Sequence, residues 1–337
     1  MPAIIVVDAF WGDSGKGKIA AYLAQKHKAT YAVRAGTGTN AGHSIYFENG
    51  NTIQTHQLPC GWLYPLTQLR VGSGVAVDPE QFLRETQQYA LSDRAKVDFR
   101  CPIIEHKHKT QEKSDSNLMD RVGSTGSGTG AARADFILRR ARQAQNHADL
   151  SDVTTDVALE INTACAQGKF IIVEGSQGTH LSLALTHDYP HCTSDNCTSL
   201  AAADDVGLNW QHIKEVVLIV KAVPSRVGEG HLPNELTDEE IRSQNILEFG
   251  VTTGRQRRKA RTIPWDLLTE SVMLNGATQI ALTFCDHFDP TVRGIRSASE
   301  ITPKVRDLMS TITEHTGIPI TIVETGKNFE DMIDLTA

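Results

Sequence analysis

The chain has 337 residues, a formal net charge of −7, 40% hydrophobic and 22% charged residues, which suits one large α/β domain or two average ones. The acidic balance and the lack of a long basic run argue against nucleic-acid binding. No apolar stretch approaches the roughly 20 residues of a membrane span, and MPAIIVV lacks the basic and cleavage regions of a signal peptide, so a cytoplasmic protein, of a cell or an infected host, is expected.

In chain order, AIIVV (3–7) reads as a buried strand and IAAYLAQKH, with Ile19, Tyr22 and Leu23 on one face, as a helix. Between them lies DAFWGDSGKGK (8–18), where Gly12, Gly15 and Gly17 punctuate a loop holding Asp13, Ser14, Lys16 and Lys18. Strand, Gly-rich loop and helix together cradle phosphates: glycines admit close backbone N–H groups, lysines neutralise charge, and the helix N-terminus adds partial positive charge. The loop does not fit the Walker A pattern GxxxxGK[ST]. Asp13 stands out, because a carboxylate among phosphates adds repulsion unless it holds a cation or takes a proton.

Further strands are expected at 31–35, 69–77, 169–175, 215–223, 280–286 and 318–326, with helices at 79–92 and 151–168. Ser151 is the expected N-cap of the latter helix and Gly168 its stop. This alternation predicts a mostly parallel central sheet with helices on both faces, P-loop-NTPase-like, in a single domain spanning 1–337. Small-residue loops follow several strands: GTGTNAGH (36–43), SQGTH (176–180) and GSTGSGTG (123–130), the last closing a segment, 109–130, that reads as a long functional loop. Each is a structural turn or a wall of a ligand site at the strands' carboxyl ends. The basic cluster VTTGRQRRKAR (251–261) is either a solvated run or a loop closing over an anion. The six cysteines, at 60, 101, 165, 192, 197 and 285, read as free thiols rather than a disulfide framework or a zinc site at His191, Cys192 and Cys197.

The segments WGDSGKGK, NAGH, GSTGSGTG, EGSQGT, YPHCTS, SRVGEG, TTGRQRR and ETG stand in the order found in adenylosuccinate synthetases. The chain resembles that family from residue 3 to its end, and in length resembles the compact archaeal form and phage-encoded relatives. The resemblance implies a ligase joining L-aspartate to C6 of a 6-oxopurine monophosphate with a nucleoside triphosphate and Mg²⁺. It implies Asp13 as general base on purine N1, His43 as hydrogen-bond donor to the moving phosphoryl group, and Asp13 and the Gly42 carbonyl as metal ligands. Gly12, Ser14, Gly15, Lys16, Gly17 and Lys18 would hold the triphosphate, with Phe284, Asp286, Thr325 and Gly326 near its base. Ser14, Asn40, Thr125, Gln177, Thr193 and Arg255 would hold the purine monophosphate, with Arg139 reaching over from a neighbouring subunit of a homodimer. Val227, Thr252, Thr253 and Arg257 would serve L-aspartate, while Arg258, Lys259 and Arg261 would be solvated.

Two departures from the family pattern bear on specificity. Ser14 stands where the usual motif, WGDEGKGK, has glutamate. A serine there frees volume and offers an acceptor to a guanine C2 amino group, so dGMP, for a diaminopurine pathway, is the expected acceptor and IMP the alternative. TFCD (283–286) replaces the guanine-reading TKxD, with Phe284 for the lysine, which weakens strict GTP use and opens ATP or dATP as donor. A P-loop switch leaves NAGH and TTGRQRR unexplained, a Rossmann dehydrogenase needs a GxGxxG after the first strand that GDSGKG does not supply, and Asp13, His43, Arg255 and Arg257 speak against an inactive nucleotide-binding protein.

Overall fold

The computed structural model describes residues 2–250 and 254–336, so Thr252 and Thr253 lie outside the described residues. Its strands are β1 (Ala3–Asp8), β2 (Tyr31–Arg34), β3 (His43–Tyr46), β4 (Thr52–Thr55), β5 (Gln68–Val71), β6 (Ala95–Asp98) and β7 (Thr154–Thr155). After them come β8 (Ile171–Glu174), β9 (Ile213–Lys221), β10 (Ser225–Arg226), β11 (Arg258–Lys259), β12 (Gln279–Thr283), β13 (Ile320–Glu324) and β14 (Met332–Asp334). Ten form one sheet in the order β14-β13-β12-β9-β1-β8-β2-β5-β6-β7, parallel except where β14 pairs with β13. β3–β4 and β10–β11 are separate antiparallel hairpins.

β1 shows why the centre reads as an unbroken apolar run. Ala3, Ile5 and Val7 pack on one face against Val157 and Ile161, while Ile4 and Val6 meet Ile19 and Leu23 of the helix Lys16–Lys26 on the other. A parallel sheet covered on both faces leaves no polar side to alternate with. Buried charged residues close four of these strands at their carboxyl ends: Asp8, Arg34, Glu174 and Lys221. In the β2–β8 register Arg34 lies directly opposite Glu174.

The runs at 3–7, 31–35, 169–175, 215–223, 280–286 and 318–326 become β1, β2, β8, β9, β12 and β13. The run at 69–77 does not stay a strand, because β5 ends at Val71 and the chain then turns through Gly72 and Gly74. The expected helix at 151–168 begins at Val157, capped by Asp156, whose side chain accepts the Leu159 N–H; Ser151 sits in a separate 3₁₀ turn. Gly168, with φ 75°, stops it as expected.

The long loop expected at 109–130 is largely helical. His106–Ser114 is an α-helix, followed by a helical turn at Asn117–Val122. Only His108 and Glu112 of the first are buried, so it has no apolar stripe to read. Glu112 accepts N–H groups from Gly128, Gly130 and Ala131 at 2.8, 2.6 and 3.2 Å, capping the helix Thr129–Ile137 from outside it.

Candidate active site

A cavity of about 740 Å³ lies over the carboxyl ends of the central strands, walled by the loops that follow β1, β2, β8, β9, β12 and β13. Asp8 at the end of β1 anchors the first loop: its Oδ1 accepts the Phe10 and Gly12 N–H groups at 2.6 and 3.3 Å, and Lys16 Nζ stands 3.5 Å from Oδ2. Gly15, at φ 85°, turns the chain into the helix Lys16–Lys26, aiming that helix's N-terminus at the cavity. Gly17 is there for space, since a Cβ would sit 2.8 Å from both Cys60 Sγ and His43 Cβ. Gly17→Ala is therefore expected to destabilise by about 1–3 kcal/mol through overpacking. A thermal melt matching the wild type would contradict this.

Asp13 faces the cavity with φ 53°, a left-handed conformation that Asp and Asn tolerate better than other side chains. Its Oδ2 pairs with Arg257 Nε at 2.9 Å, and Arg257 Nη1 donates to Glu248 Oε1 at 2.8 Å. Glu248 Oε2 also takes Lys259 and, at 2.9 Å, Lys221. Lys221 donates further to the Asp13 carbonyl at 3.1 Å and Ser225 Oγ at 2.7 Å. Burial pulls Lys221 down to about 7 against the pull of Glu248. Burial alone would raise Glu248, but Lys221, Lys259, Arg257 and His287 outweigh it and hold the carboxyl far below its ordinary range. Lys259 is thus fully buried in this network, not solvated as expected.

His43 opens β3 and is buried on the cavity wall. Its Nδ1 makes a short contact with Glu174 Oε1, which also accepts from Arg34 Nη1 at 2.9 Å. Burial and the Arg34 charge lower His43 to about 4, with Glu174 opposing. Cys60 Sγ, His43 and Glu174 converge within 4.8 Å, but Arg34 occupies the carboxylate and burial pushes the Cys60 thiol well up, so this is a hydrogen-bonded group and not a metal site. A hard divalent cation is better matched by the Asp13 carboxylate and the Gly42 carbonyl, oxygen donors on the same cavity wall.

The structure brings together many of the residues singled out by sequence. Asp13, Ser14, Gly15, Lys16, Gly17, Asn40, Gly42, His43, Thr125, Gln177, Thr193, Val227 and Arg257 line the cavity, as do Phe284, Asp286 and Gly326. Asn40 Nδ2 donates to Thr193 Oγ1 at 3.2 Å, joining two loops more than 150 residues apart. Ser14 is buried, and its hydroxyl has no partner within the protein. Lys18 lines the cavity, yet its ammonium is committed to Glu324 at 3.1 Å and the Gly326 and Asp331 carbonyls at 2.8 and 3.3 Å. Gly12, Thr325, Arg139 and Arg255 are not on the wall. Thr325 is buried, with its hydroxyl on the Ile295 carbonyl; Arg255 reaches the Gly123 carbonyl at 3.1 Å; Arg139 is exposed. Phe284, at φ 56°, carries Lys221 Nζ 4.0 Å above its ring, and Asp286 Oδ2 takes Arg293 Nε at 3.1 Å.

Sequence reasoning missed Arg34, Glu174, Lys221 and Glu248. The first three had a signal: a charge closing an apolar strand must be paired or functional.

Comparison with known proteins identifies the family. The family model described as adenylosuccinate synthetase matches residues 5–149 and 141–291. The chain belongs to the adenylosuccinate synthetase family. It is 40% identical to the adenylosuccinate synthetase of Thermococcus onnurineus (strain NA1), over 99% of this chain and 98% of that one. It is 42% identical to that of Methanosphaera stadtmanae, with coverage of 99% and 98%. Two solved structures share the fold. Fully ligated adenylosuccinate synthetase from Plasmodium falciparum superposes with a TM-score of 0.91 at 21% identity, covering 99% of this chain and 100% of that one. Cyanophage S-2L succinoaminodeoxyadenylate synthetase (PurZ), bound to dGMP and dATP, gives 0.82 at 23% identity, covering 99% and 95%. The chain is an adenylosuccinate synthetase-type ligase, whose family substrates are a purine nucleotide, aspartate and a nucleoside triphosphate, with a divalent metal.

Proposed function

We propose that this ligase joins L-aspartate to C6 of a 6-oxopurine nucleoside monophosphate, with IMP as the acceptor. The observation that carries the chemistry is the convergence of Asp13, His43 and Arg257 on one cavity. What supports IMP is similarity over 99% of the chain to archaeal relatives named adenylosuccinate synthetase.

Asp13 takes the purine N1 proton, which moves negative charge onto O6. O6 attacks the γ-phosphorus, the nucleoside diphosphate leaves, and His43 hydrogen-bonds the oxygens where charge gathers. The L-aspartate amine then adds at C6 and expels phosphate, with Arg257 gripping a substrate carboxylate in place of Asp13. Thr252 and Thr253 share that task by motif. Mg²⁺, held through Asp13 and the Gly42 carbonyl, would neutralise charge on the transferring phosphate. Gly15, Lys16 and Gly17 serve the triphosphate. Asn40, Thr125, Gln177 and Thr193 serve the monophosphate, and Val227 supports the aspartate loop. Arg139, exposed and away from its own cavity, supports a homodimer in which it reaches the partner's nucleotide. Phe284 in place of lysine supports ATP or dATP as donor.

One observation favours a second acceptor, dGMP. The buried Ser14 hydroxyl lines the cavity without a partner in the protein, as an acceptor for a C2 amino group would. Phosphate release with L-aspartate, Mg²⁺ and ATP, comparing IMP, GMP and dGMP and then repeated with GTP, separates the readings. Highest kcat/KM with IMP is expected. Preference for dGMP would replace IMP by the second reading, and no aspartate-dependent release with any acceptor would overturn both.

A further inference from the structure

A nucleoside triphosphate with one Mg²⁺ still carries net negative charge, so the wall that receives it must offer positive charge of its own. Among the described residues, the lysines and arginines on the cavity wall are Lys16, Lys18, Arg226, Arg257 and Lys327. The first four already face carboxylates of the protein. Lys16 stands 3.5 Å from Asp8, Lys18 3.1 Å from Glu324, Arg226 2.8 Å from Asp188, and Arg257 2.9 Å from Asp13 and 2.8 Å from Glu248. Lys327 is exposed and pairs with no carboxylate among the described residues. Its ammonium lies only against the Tyr46 ring, 6.0 Å from the centroid.

The backbone around Lys327 is tied down on both sides. Lys18 Nζ donates to the carbonyl of Gly326, the preceding residue, at 2.8 Å and to that of Asp331 at 3.3 Å. Thr325 N–H donates to the Asp331 carbonyl at 3.0 Å, and Asn328 N–H, just after the lysine, to Asp331 Oδ2 at 3.1 Å. Phe329 N–H closes the loop onto the Tyr46 carbonyl of β3 at 2.7 Å. A Cβ at Gly326 would sit 2.7 Å from Asp331 Oδ2, so the close approach needs glycine. The loop after β13 thus holds Lys327 beside the first turn of the helix Lys16–Lys26, while no hydrogen bond holds the lysine side chain. Lys18 spends its charge on Glu324 and builds this loop; the loop in turn carries another lysine to the cavity.

We infer that Lys327 is a binding residue for the donor, its ammonium meeting the polyphosphate of the nucleoside triphosphate near the N-terminus of the helix Lys16–Lys26. This rests on the ligase reading proposed above. That reading brings three anionic groups to the cavity: the triphosphate, the acceptor's monophosphate and the carboxylates of L-aspartate. Lys327 belongs with the first, because Lys18 ties its loop to the helix whose N-terminus faces the cavity. Asn40 and Thr193, proposed for the monophosphate, and Arg257, proposed for L-aspartate, stand on other loops. Lysine suits the task, since a compact charge on a flexible stem can follow a phosphate chain that loses one group during the reaction.

The test compares Lys327→Met, which keeps the stem and removes the charge, with Lys327→Arg, which keeps the charge. Both should melt with the wild type, because the side chain is exposed and makes no hydrogen bond. With Mg²⁺, the β,γ-imido analogues of ATP and GTP are titrated into each protein by calorimetry. Lys327→Met is expected to weaken the tighter analogue about 5- to 10-fold and Lys327→Arg less than about 2-fold. The matching nucleoside, which has no phosphate, should bind all three proteins alike. In turnover, KM for the donor should rise by a similar factor, with kcat and the KM for IMP and L-aspartate within about 2-fold of wild type. Unchanged analogue binding by Lys327→Met overturns the inference. An equal loss for the nucleoside, or a rise in KM for IMP or L-aspartate instead, overturns it too. If the wild type releases no phosphate with any acceptor, the proposed reaction fails while analogue binding still reports on Lys327. If the wild type binds neither analogue, both fail.

Discussion

Asp13→Asn is expected to lower kcat by about 10²-fold or more, the range for loss of a general base. Asparagine is the informative replacement. The backbone at 13 has φ 53°, which asparagine adopts readily and alanine does not. The fold and the loop conformation are therefore kept while the proton acceptor is removed. Phosphate release at saturating IMP, ATP and L-aspartate measures the effect. Retention of more than a tenth of wild-type kcat would rule out Asp13 as the base. Recovery of activity on raising Mg²⁺ would assign it to metal binding alone. A second consequence follows from the Arg257 pair. In the structure, Arg257 neutralises Asp13 from 2.9 Å, and the proposed reaction asks Arg257 to hold L-aspartate instead. The base and the substrate carboxylate thus compete for one guanidinium, so arrival of L-aspartate loosens Asp13.

The site was most legible where its chemistry is contiguous in the chain. Asp13, Lys16, Asn40 and His43 come from loops whose glycines and charges sit side by side in sequence, immediately after apolar runs. The sheet was legible for the same reason: its central strands are buried on both faces and leave unbroken apolar runs. The edge was not, because β7 covers only two residues and two of the four in β6, Lys96 and Asp98, are charged. Lys18 shows the limit of a motif. Sequence groups it with Lys16, but residues two apart on a helix point in different directions, and Lys18 turns to Glu324 at the end of β13. Glu248 was invisible for another reason. Nothing near it in sequence marks it, and its partners Lys221, Arg257 and Lys259 meet only through the packing of β9 against the β10–β11 hairpin region.

Acceptor choice shows the same division between chain and fold. Ser14 pointed from sequence toward dGMP, and its buried hydroxyl keeps that reading testable. The similarity to archaeal adenylosuccinate synthetases along nearly the whole chain is what supports the proposed IMP reading beside it. A single hydroxyl can tune a pocket, whereas the identity of the acceptor depends on every wall of it.

Glu248→Gln is expected to destabilise the protein by about 3–5 kcal/mol, the range for breaking a buried charge cluster from one side. Glu248 is the anion for Lys221, Lys259 and Arg257, with His287 Nδ1 3.8 Å away. Glutamine keeps the shape and removes the charge, leaving three buried cations together. Because burial already pulls Lys221 to about 7, it can discharge in the variant, which places the loss toward the lower end at neutral pH. The sign of the pH dependence follows from the direction of the Glu248 shift. Its carboxyl is held below the ordinary glutamate value of about 4.3, so its contribution is present above that value and is lost as pH falls through the native one. The wild type should therefore lose this part of its stability in acid, while the variant lacks it throughout. Urea unfolding of both proteins should show a gap at pH 6–7 that narrows below about pH 4. Equal stability at pH 7, or a gap that stays constant down to pH 3, would show that Glu248 does not carry the cluster behind Asp13.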